Sequence, residues 1–551
     1  MSIPLDVPGN IIDTSGVAPA IEKMLPAGVR HRQLTAGTLL AGMMLALEDD
    51  RPAHLTRVHA ALTALPEPDQ ARLGVTEEWR AGPHQLTYRQ VERTFNLVAD
   101  ALGKQHPDGA PSADLAGVCD DLLEASIPAA CKDASAALAV DWTDVESWSR
   151  PPPRGTSECA DPEAHWGHRN SNLPGPKGEM FFGYYLSAST MVPEEAGPPV
   201  PELARRMTLS SCELDPVRAL ARVLARMPAA GIALGDILDD SGYAHRDAGA
   251  WAIPLRQAGA QLIQDLHPHD RGPQGTHHGA IIANGNLYCP ATPRPLLELG
   301  PLAPAATIEQ AIAHDQQTAE LARHKLGPIS ADDADGYHRV MCPAVAGKIR
   351  CPHRPESMKL GRGRPEILTP PQNPPACCTK QTITVPPAVA AKTRQKHDYP
   401  SAAHRRSYAR RTAAERMFST IKDPATTSIA RGWCRLTGLA PLALWIARRP
   451  QPAHPHRMGC PPGRRRAARR RRAPAQNQET APPDPRQPRR RPAITATAFR
   501  PTPAAAHGRH IPAPPRRSRA PGTKAASPAN ARPASRTRSS QARQYPPRPG
   551  S

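Results

Sequence analysis

The chain has 551 residues, 67 of them proline, with aromatic residues at only 4% and a formal charge of +20, so part of it is expected never to build a core. The charge is uneven: residues 448–551 hold 24 Arg and one Lys against Glu479 and Asp484, leaving the first 447 residues near −3, which excludes a nucleic-acid footprint spread over the whole protein. Eleven cysteines without disulfide-like spacing, an opening stretch (MSIPLDVPGN) without a basic and apolar leader, and uncharged apolar runs such as Leu436 to Ala447 that fall well short of the roughly 20 residues needed to span a bilayer point to a cytoplasmic protein with no membrane partner.

Residues 1–112 read as helical. Leu39, Leu40, Met43, Met44 and Leu47 recur at spacings of three and four, as do Val58, Leu62 and Leu65, while Val91, Phe95, Val98 and Leu102 share one face of a helix over Tyr88–Leu102. Such an array ahead of another domain suits DNA binding, with a plain helical bundle as the alternative. From Ala136 the period changes. Ala136 to Asp141 predicts a buried strand with a carboxylate at its tip, Gly178 to Leu186 a second strand and Arg206 to Leu209 a third. Asp215 then predicts the N-cap of a helix over Pro216–Met227. Gly231 to Asp239 is another apolar strand ending in acids, followed by a helix over Ala250–Ala258 and a strand over Gln261–Leu266. Three strands, a helix and further strands, with acids at two strand ends, is the order of an α/β fold with an RNase H-like mixed sheet and flanking helices.

Between His267 and about Pro400 the pattern dissolves into Pro, Gly, His and Cys, with one hairpin signal at Asn284-Gly285. The expected layout is therefore a helical, DNA-binding region over 1–112, the first part of the catalytic core over 130–266, an inserted subdomain over 267–400, the second part of the core over 401–447, and a disordered Arg/Pro-rich tail over 448–551.

Helical periodicity returns near Ala402 and carries the sharpest signal. Tyr408, Arg411, Glu415 and Lys422 fall within roughly 60° of one another at helical pitch, and Ala414, Met417, Phe418 and Ile421 form a separate apolar arc. One helix can thus pack on a sheet with one side and hold a carboxylate out with the other. The spacing Tyr-x2-Arg-x3-Glu-x6-Lys resembles the signature of a large group of insertion-sequence transposases, of actinobacterial type, and the resemblance covers about residues 30–445. It implies an Asp/Asp/Glu (DDE) enzyme for DNA transposition, a form of DNA recombination, in which Glu415 is the third acid. Asp141, in Val140-Asp-Trp-Thr143, resembles the first acid, with Asp144 as its rival; Asp240, in Leu238-Asp-Asp-Ser-Gly-Tyr243, resembles the second, with Asp239 as its rival.

The chemistry that such a family performs explains the residue types. Cutting and joining phosphodiesters needs charge stabilised on both an attacking and a leaving oxygen, which two Mg²⁺ ions supply, with Mn²⁺ as a substitute; hard cations take carboxylate oxygens. The resemblance implies Asp141, Asp240 and Glu415 as catalytic metal ligands. It implies Tyr408, Arg411 and Lys422 as contacts to transposon-end DNA, with target DNA as the second partner and a homo-oligomer assembled on DNA.

Weaker signals are Cys289, Cys342, Cys351, Cys377 and Cys378, read as free thiols because no Cys-x2-Cys pair is present, with a Zn²⁺ knuckle as the alternative. His267, His269, Asp270, His277 and His278 read as a solvated polar loop, with metal binding as the alternative. Trp142, Trp148 and Trp166 read as packing residues before base-stacking ones. The tail has two readings: Arg464–Arg472 adds salt-sensitive DNA affinity, or the reading frame shifts just after Leu442-Ala-Leu-Trp445 and this copy is a non-catalytic remnant lacking the family's last apolar helix.

Overall fold

The computed structural model describes residues 5–447 apart from 27–31, 33, 48–51, 76–85, 104–108, 154–155, 170–178, 355–356, 358–371 and 425–427. The basic tail, with both of its readings, lies outside the described residues.

The central sheet is built from β1 (Leu138–Glu146), β2 (His165–His168), β3 (Met180–Met191), β4 (Ala204–Ser211), β5 (Asp236–Asp239) and β6 (Gln261–Gln264). β3 lies between β1 on one side and, on the other, β2 and β4 in succession, all antiparallel. β5 pairs parallel with the other side of β1, and β6 parallel with β5. Leaving out the short β2, the order across the sheet is third, second, first, fourth, fifth, a mixed sheet with helices. The strand expected to end at Asp141 runs on to Glu146, because β3 pairs along its whole length, from Leu138 opposite Met191 to Glu146 opposite Gly183.

The parallel part of the sheet is covered on both faces, as its near-continuous apolar strands require. Leu138, Val140, Ile237 and Leu262 pack with Val217, Leu220 and Leu224 of the helix Pro216–Leu224, and with Trp251 and Leu255. That helix starts as expected: the Asp215 carboxylate accepts a hydrogen bond from the Val217 amide at 3.1 Å, and Pro216 fills the first turn, where no amide is needed. The opposite face, Ala137, Ala139, Leu238 and Ile263, receives Ala413 and Ala414 of the helix Thr412–Lys422.

The N-terminal helices, among them Ala36–Leu47, Leu55–Thr63, Tyr88–Leu102 and Ala113–Ser126, do not keep their core to themselves. Their apolar faces merge with Leu186, Met207 and Leu209 of the sheet, with Met417, Phe418 and Ile421, and with the helix Leu439–Ile446. That last helix is apolar on all sides and, apart from Pro441, wholly buried, as such a helix must be. Among the described residues no helix is long and apolar enough to cross a membrane.

The region over 267–400 is more ordered than its sequence suggests. It holds an antiparallel trio, β7 (Pro273–His277), β8 (Ala280–Ala283) and β9 (Asn286–Tyr288), and a second, β10 (Gly327–Pro328), β11 (His338–Met341) and β12 (Thr382–Val385). Strands this short show little alternation. The expected hairpin is present: Asn284 and Gly285 both have positive φ, 47° and 81°, the pairing that a two-residue primed turn demands. A helix, Ile308–His324, also forms here unforeseen, because it buries only His314 and Leu321 and so carries no apolar stripe.

Candidate active site

Asp141 and Asp240 become neighbours through strand register. Ala139 pairs with Leu238 across the parallel β1–β5 ladder, and each Asp lies two residues further along its chain, on the same face by the period of two. Each is fixed by one carboxylate oxygen: Asp141 Oδ1 accepts from the Trp142 amide at 2.8 Å, and Asp240 Oδ1 from the Gly242 amide at 2.9 Å. The other oxygens face one side chain. Arg411 donates through Nη2 to Asp141 Oδ2 at 3.1 Å and to Asp240 Oδ2 at 3.0 Å, and through Nη1 to Glu415 Oε1 at 2.6 Å. Three acids separated by 99 and 175 positions in sequence thus meet around a single guanidinium.

The helix that brings Glu415 is not the uniform one that the spacing predicts. Ala402–Tyr408 is α-helical, Ala409–Arg411 is a 3₁₀ turn and Thr412–Lys422 is α-helical again. The tighter turn is where Arg410 is pulled inward: its guanidinium reaches buried Asp236 at the start of β5 at 2.8 Å and the Pro193 carbonyl at 2.9 Å. Ala413 and Ala414 let the helix backbone approach the sheet closely, which leaves Arg411 and Glu415 beside the aspartates.

The electrostatics follow from this crowding. Burial pushes the Asp141 carboxyl up to about 6, Asp240 and Glu415 push the same way, and Arg411 opposes them. Burial works against the Arg411 charge, but Tyr408, Asp240, Asp141 and Glu415 outweigh it and hold the guanidinium more firmly protonated than usual. The Arg411 side chain is only 10% exposed whereas that of Glu415 is 56% exposed, so the cluster opens to solvent on the Glu415 side. Behind the acids, Trp142, Tyr243 and Trp251 form a run of edge and tilted ring contacts at 4.8 and 4.6 Å. The buried Tyr243 hydroxyl has no hydrogen-bond partner among the described residues, and burial together with Asp141, Asp240 and Asp239 raises it far above the usual phenol range.

The two rival acids have other work. Asp239 is fully buried, accepting from Trp251 Nε1 at 2.8 Å and from Gln264 Nε2 at 3.2 Å, and burial raises its carboxyl well above the ordinary range. Asp144 accepts from Lys422 Nζ at 2.7 Å and Arg169 Nη2 at 3.0 Å, which outweigh burial and hold it below the usual value. Lys422 and Arg411, expected to face phosphates, therefore rest on carboxylates. Tyr408 stacks on His404 at 5.6 Å and packs against the Ala137, Ala139 and Leu238 face; burial raises its hydroxyl.

Away from this site, Trp148 and Trp166 are about half exposed, Trp148 beneath Arg435 and Trp166 edge-on to Phe182. His267 and Asp270 come together with His245, their ligand atoms all within 4.8 Å of one another. His245 had no local signal to mark it, and Lys392 already holds Asp270 at 2.7 Å. No family model, no curated protein and no solved structure matches the chain.

Proposed function

We propose that the chain is a DNA transposase of the Asp/Asp/Glu kind, with an RNase H-like core and with Asp141, Asp240 and Glu415 as its catalytic acids. The observation that carries the reading is the meeting of these three carboxylates at one guanidinium. The strand order supports it, and so does the position of Asp141 on β1, of Asp240 directly after the adjacent parallel strand β5, and of Glu415 on a helix packed against them.

The donor set fits divalent cations. Three carboxylates and one guanidinium sum to a formal −2, burial with Asp240 and Glu415 nearby lifts Asp141, and all the ligands are hard oxygens. Asp141, Asp240 and Glu415 would hold Mg²⁺ or Mn²⁺, and the ions supply charge stabilisation to the attacking and leaving oxygens of a phosphodiester. The chain's own residues orient these groups: the Trp142 and Gly242 amides fix the aspartate rotamers, and the Arg410–Asp236 pair fixes the helix bearing Glu415. With cations held by the acids, Arg411 would be free to take a DNA phosphate, and Lys422 lies about two turns beyond Glu415 on the same helix.

The test is end cleavage by the full chain, with Mg²⁺ and duplexes taken from the DNA flanking its gene. Release of a 3′ hydroxyl end, lost in Asp141→Asn, Asp240→Asn and Glu415→Gln, is expected; undiminished cutting by Glu415→Gln would overturn the assignment. A second reading, a remnant that binds DNA without cutting it, is favoured by one feature: Arg411 already fills the space among the acids. Binding of those duplexes with no cleavage at any Mg²⁺ or Mn²⁺ concentration would select it.

A further inference from the structure

The polar loop that follows β6 brings a second set of ligand-bearing side chains together. His267 caps and Asp270 ends a 3₁₀ turn, Pro268–Asp270, and at three residues per turn positions i and i+3 stand on the same side. The turn is held firmly: the Asp270 amide donates to the His267 carbonyl at 2.8 Å, and Arg271 Nε donates to the carbonyl of buried Leu266 at 2.7 Å. Facing it is His245, directly after the one-turn helix Ser241–Ala244, which the Asp240 carboxylate caps and which is anchored by buried Tyr243 and Ala244. The ring centroids of His245 and His267 are 4.1 Å apart, and one ligand atom from each of His245, His267 and Asp270 lies within 4.8 Å of the others.

A solvated polar loop is the ordinary account of such residues, and two observations go against it. Lys392 Nζ holds Asp270 Oδ1 at 2.7 Å, but Asp270 Oδ2 is buried and accepts no hydrogen bond among the described residues. A buried carboxylate oxygen without a partner is costly, so that oxygen calls for a cation. It also lies 3.7 Å from His245 Nδ1. That gap is too long for a hydrogen bond, yet it is near the roughly 3.4 Å that separates two ligands of one tetrahedral zinc ion when each bond is about 2.0–2.1 Å.

We infer that His245, His267 and Asp270 bind one Zn²⁺ ion, which ties the segment after Asp240 to the start of the 267–400 region. Two imidazoles and one carboxylate, with the Lys392 charge beside them, suit zinc rather than Mg²⁺ or Ca²⁺, which draw on several oxygens. The His245 side chain is 47% exposed, so the ion has a path of entry and the open position of its shell faces solvent. His267 Nδ1 accepts the His269 amide at 3.3 Å; the ion either displaces this long contact or, bound at Nε2, moves the ring proton to Nδ1. The cluster shares no residue with the Asp141, Asp240 and Glu415 site, and it stands whether or not those acids cut DNA.

The test titrates the full chain with ZnCl₂ by calorimetry in millimolar Mg²⁺, which fills hard-oxygen sites. The wild type is expected to bind one Zn²⁺ more than His245→Ala, a change at a half-exposed position. Asp270→Asn should weaken that ion by more than about 10-fold, the least that losing even a ligand's supporting partner costs. His168→Ala, at an exposed histidine of β2, should match the wild type. Since a variant can fail to fold, amide hydrogen exchange is also followed on the wild-type chain, where Zn²⁺ should slow residues 241–246 and 266–271. Equal Zn²⁺ uptake by wild type and His245→Ala, displacement of the ion by millimolar Mg²⁺, or unchanged exchange in both segments at saturating Zn²⁺ would each overturn the assignment.

Discussion

Replacing Arg411 with Met keeps the length of the side chain and removes its charge, which isolates the role of the guanidinium among the acids. Arg411 is 10% exposed and bonded to three carboxylates at 2.6 to 3.1 Å, and truncating one partner of such a buried network costs about 3–5 kcal/mol. The cost depends on pH with a definite sign. Asp141 has an ordinary value of 3.8 and sits at about 6 in the fold, so the stability that its protonated form contributes is fully present below pH 3.8 and is lost as pH rises through about 6. Keeping it ionised at pH 7 costs about 3 kcal/mol in the native chain. Without Arg411 the opposing charge is gone, Asp141 climbs further, and the deficit at neutral pH widens. Urea unfolding of Arg411→Met should therefore show a large loss of stability at pH 7 and a much smaller one at pH 5. Millimolar Mg²⁺ should restore the variant at pH 7 more than it raises the wild type, since an ion that binds the fold alone stabilises it by RT ln(1 + L/Kd), with L the free ion concentration, which grows as the ion is bound more tightly. A variant as stable as the wild type at pH 7, or one indifferent to Mg²⁺, would refute the shared site.

Three further outcomes follow from the same geometry. On the proposed transposase reading, Glu415→Gln should lower end cleavage by at least the roughly 10–100-fold that loss of a ligand's supporting partner costs and change unfolding midpoints little, because the side chain is 56% exposed; paired cleavage and urea measurements separate the two effects. Gly242→Ala puts a Cβ at 2.6 Å from Trp142 Cη2 and 3.0 Å from Asp240 Oδ1, so it should cost about 1–3 kcal/mol and displace the acid, seen as weaker Mg²⁺ binding by calorimetry. Trp251→Phe removes the Nε1 donor from fully buried Asp239 and should cost about 1–3 kcal/mol in urea unfolding while leaving the dependence of cleavage on Mg²⁺ concentration in place.

What the sequence discloses of this fold is what short-range pattern controls. Strand and helix order from Ala136 to Leu266 is legible because apolar runs and the Asp215-Pro216 cap are local signals, and the Glu415 helix is legible because its two faces differ in kind. The choice of Asp240 over Asp239 is legible only in part: adjacent acids point to opposite faces, and only the β1–β5 register decides which face meets the helix. The 3₁₀ turn at Ala409–Arg411 depends on Asp236, far away in sequence, and so leaves no mark in the 408–422 spacing.

Arg411 ties these strands of argument together. By the family resemblance it belongs with Tyr408 and Lys422 as a contact to transposon-end DNA, yet in the fold it neutralises part of the charge that the acids build up. These roles are compatible if they alternate. On the proposed reading, Asp141, Asp240 and Glu415 would hold the guanidinium when no cation is bound, and with cations held by the acids Arg411 would be free to bind an anion beside them. Arg411→Lys tests this alternation: lysine keeps the charge but loses the fork that spans Asp141, Asp240 and Glu415 together. Stability at pH 7 without Mg²⁺ should then fall between wild type and Arg411→Met, while binding of flanking DNA in the presence of Mg²⁺ should be nearer to wild type. If the lysine variant instead loses DNA binding as completely as the methionine variant while keeping wild-type stability, Arg411 is a dedicated DNA ligand and its rest position among the acids carries no functional weight.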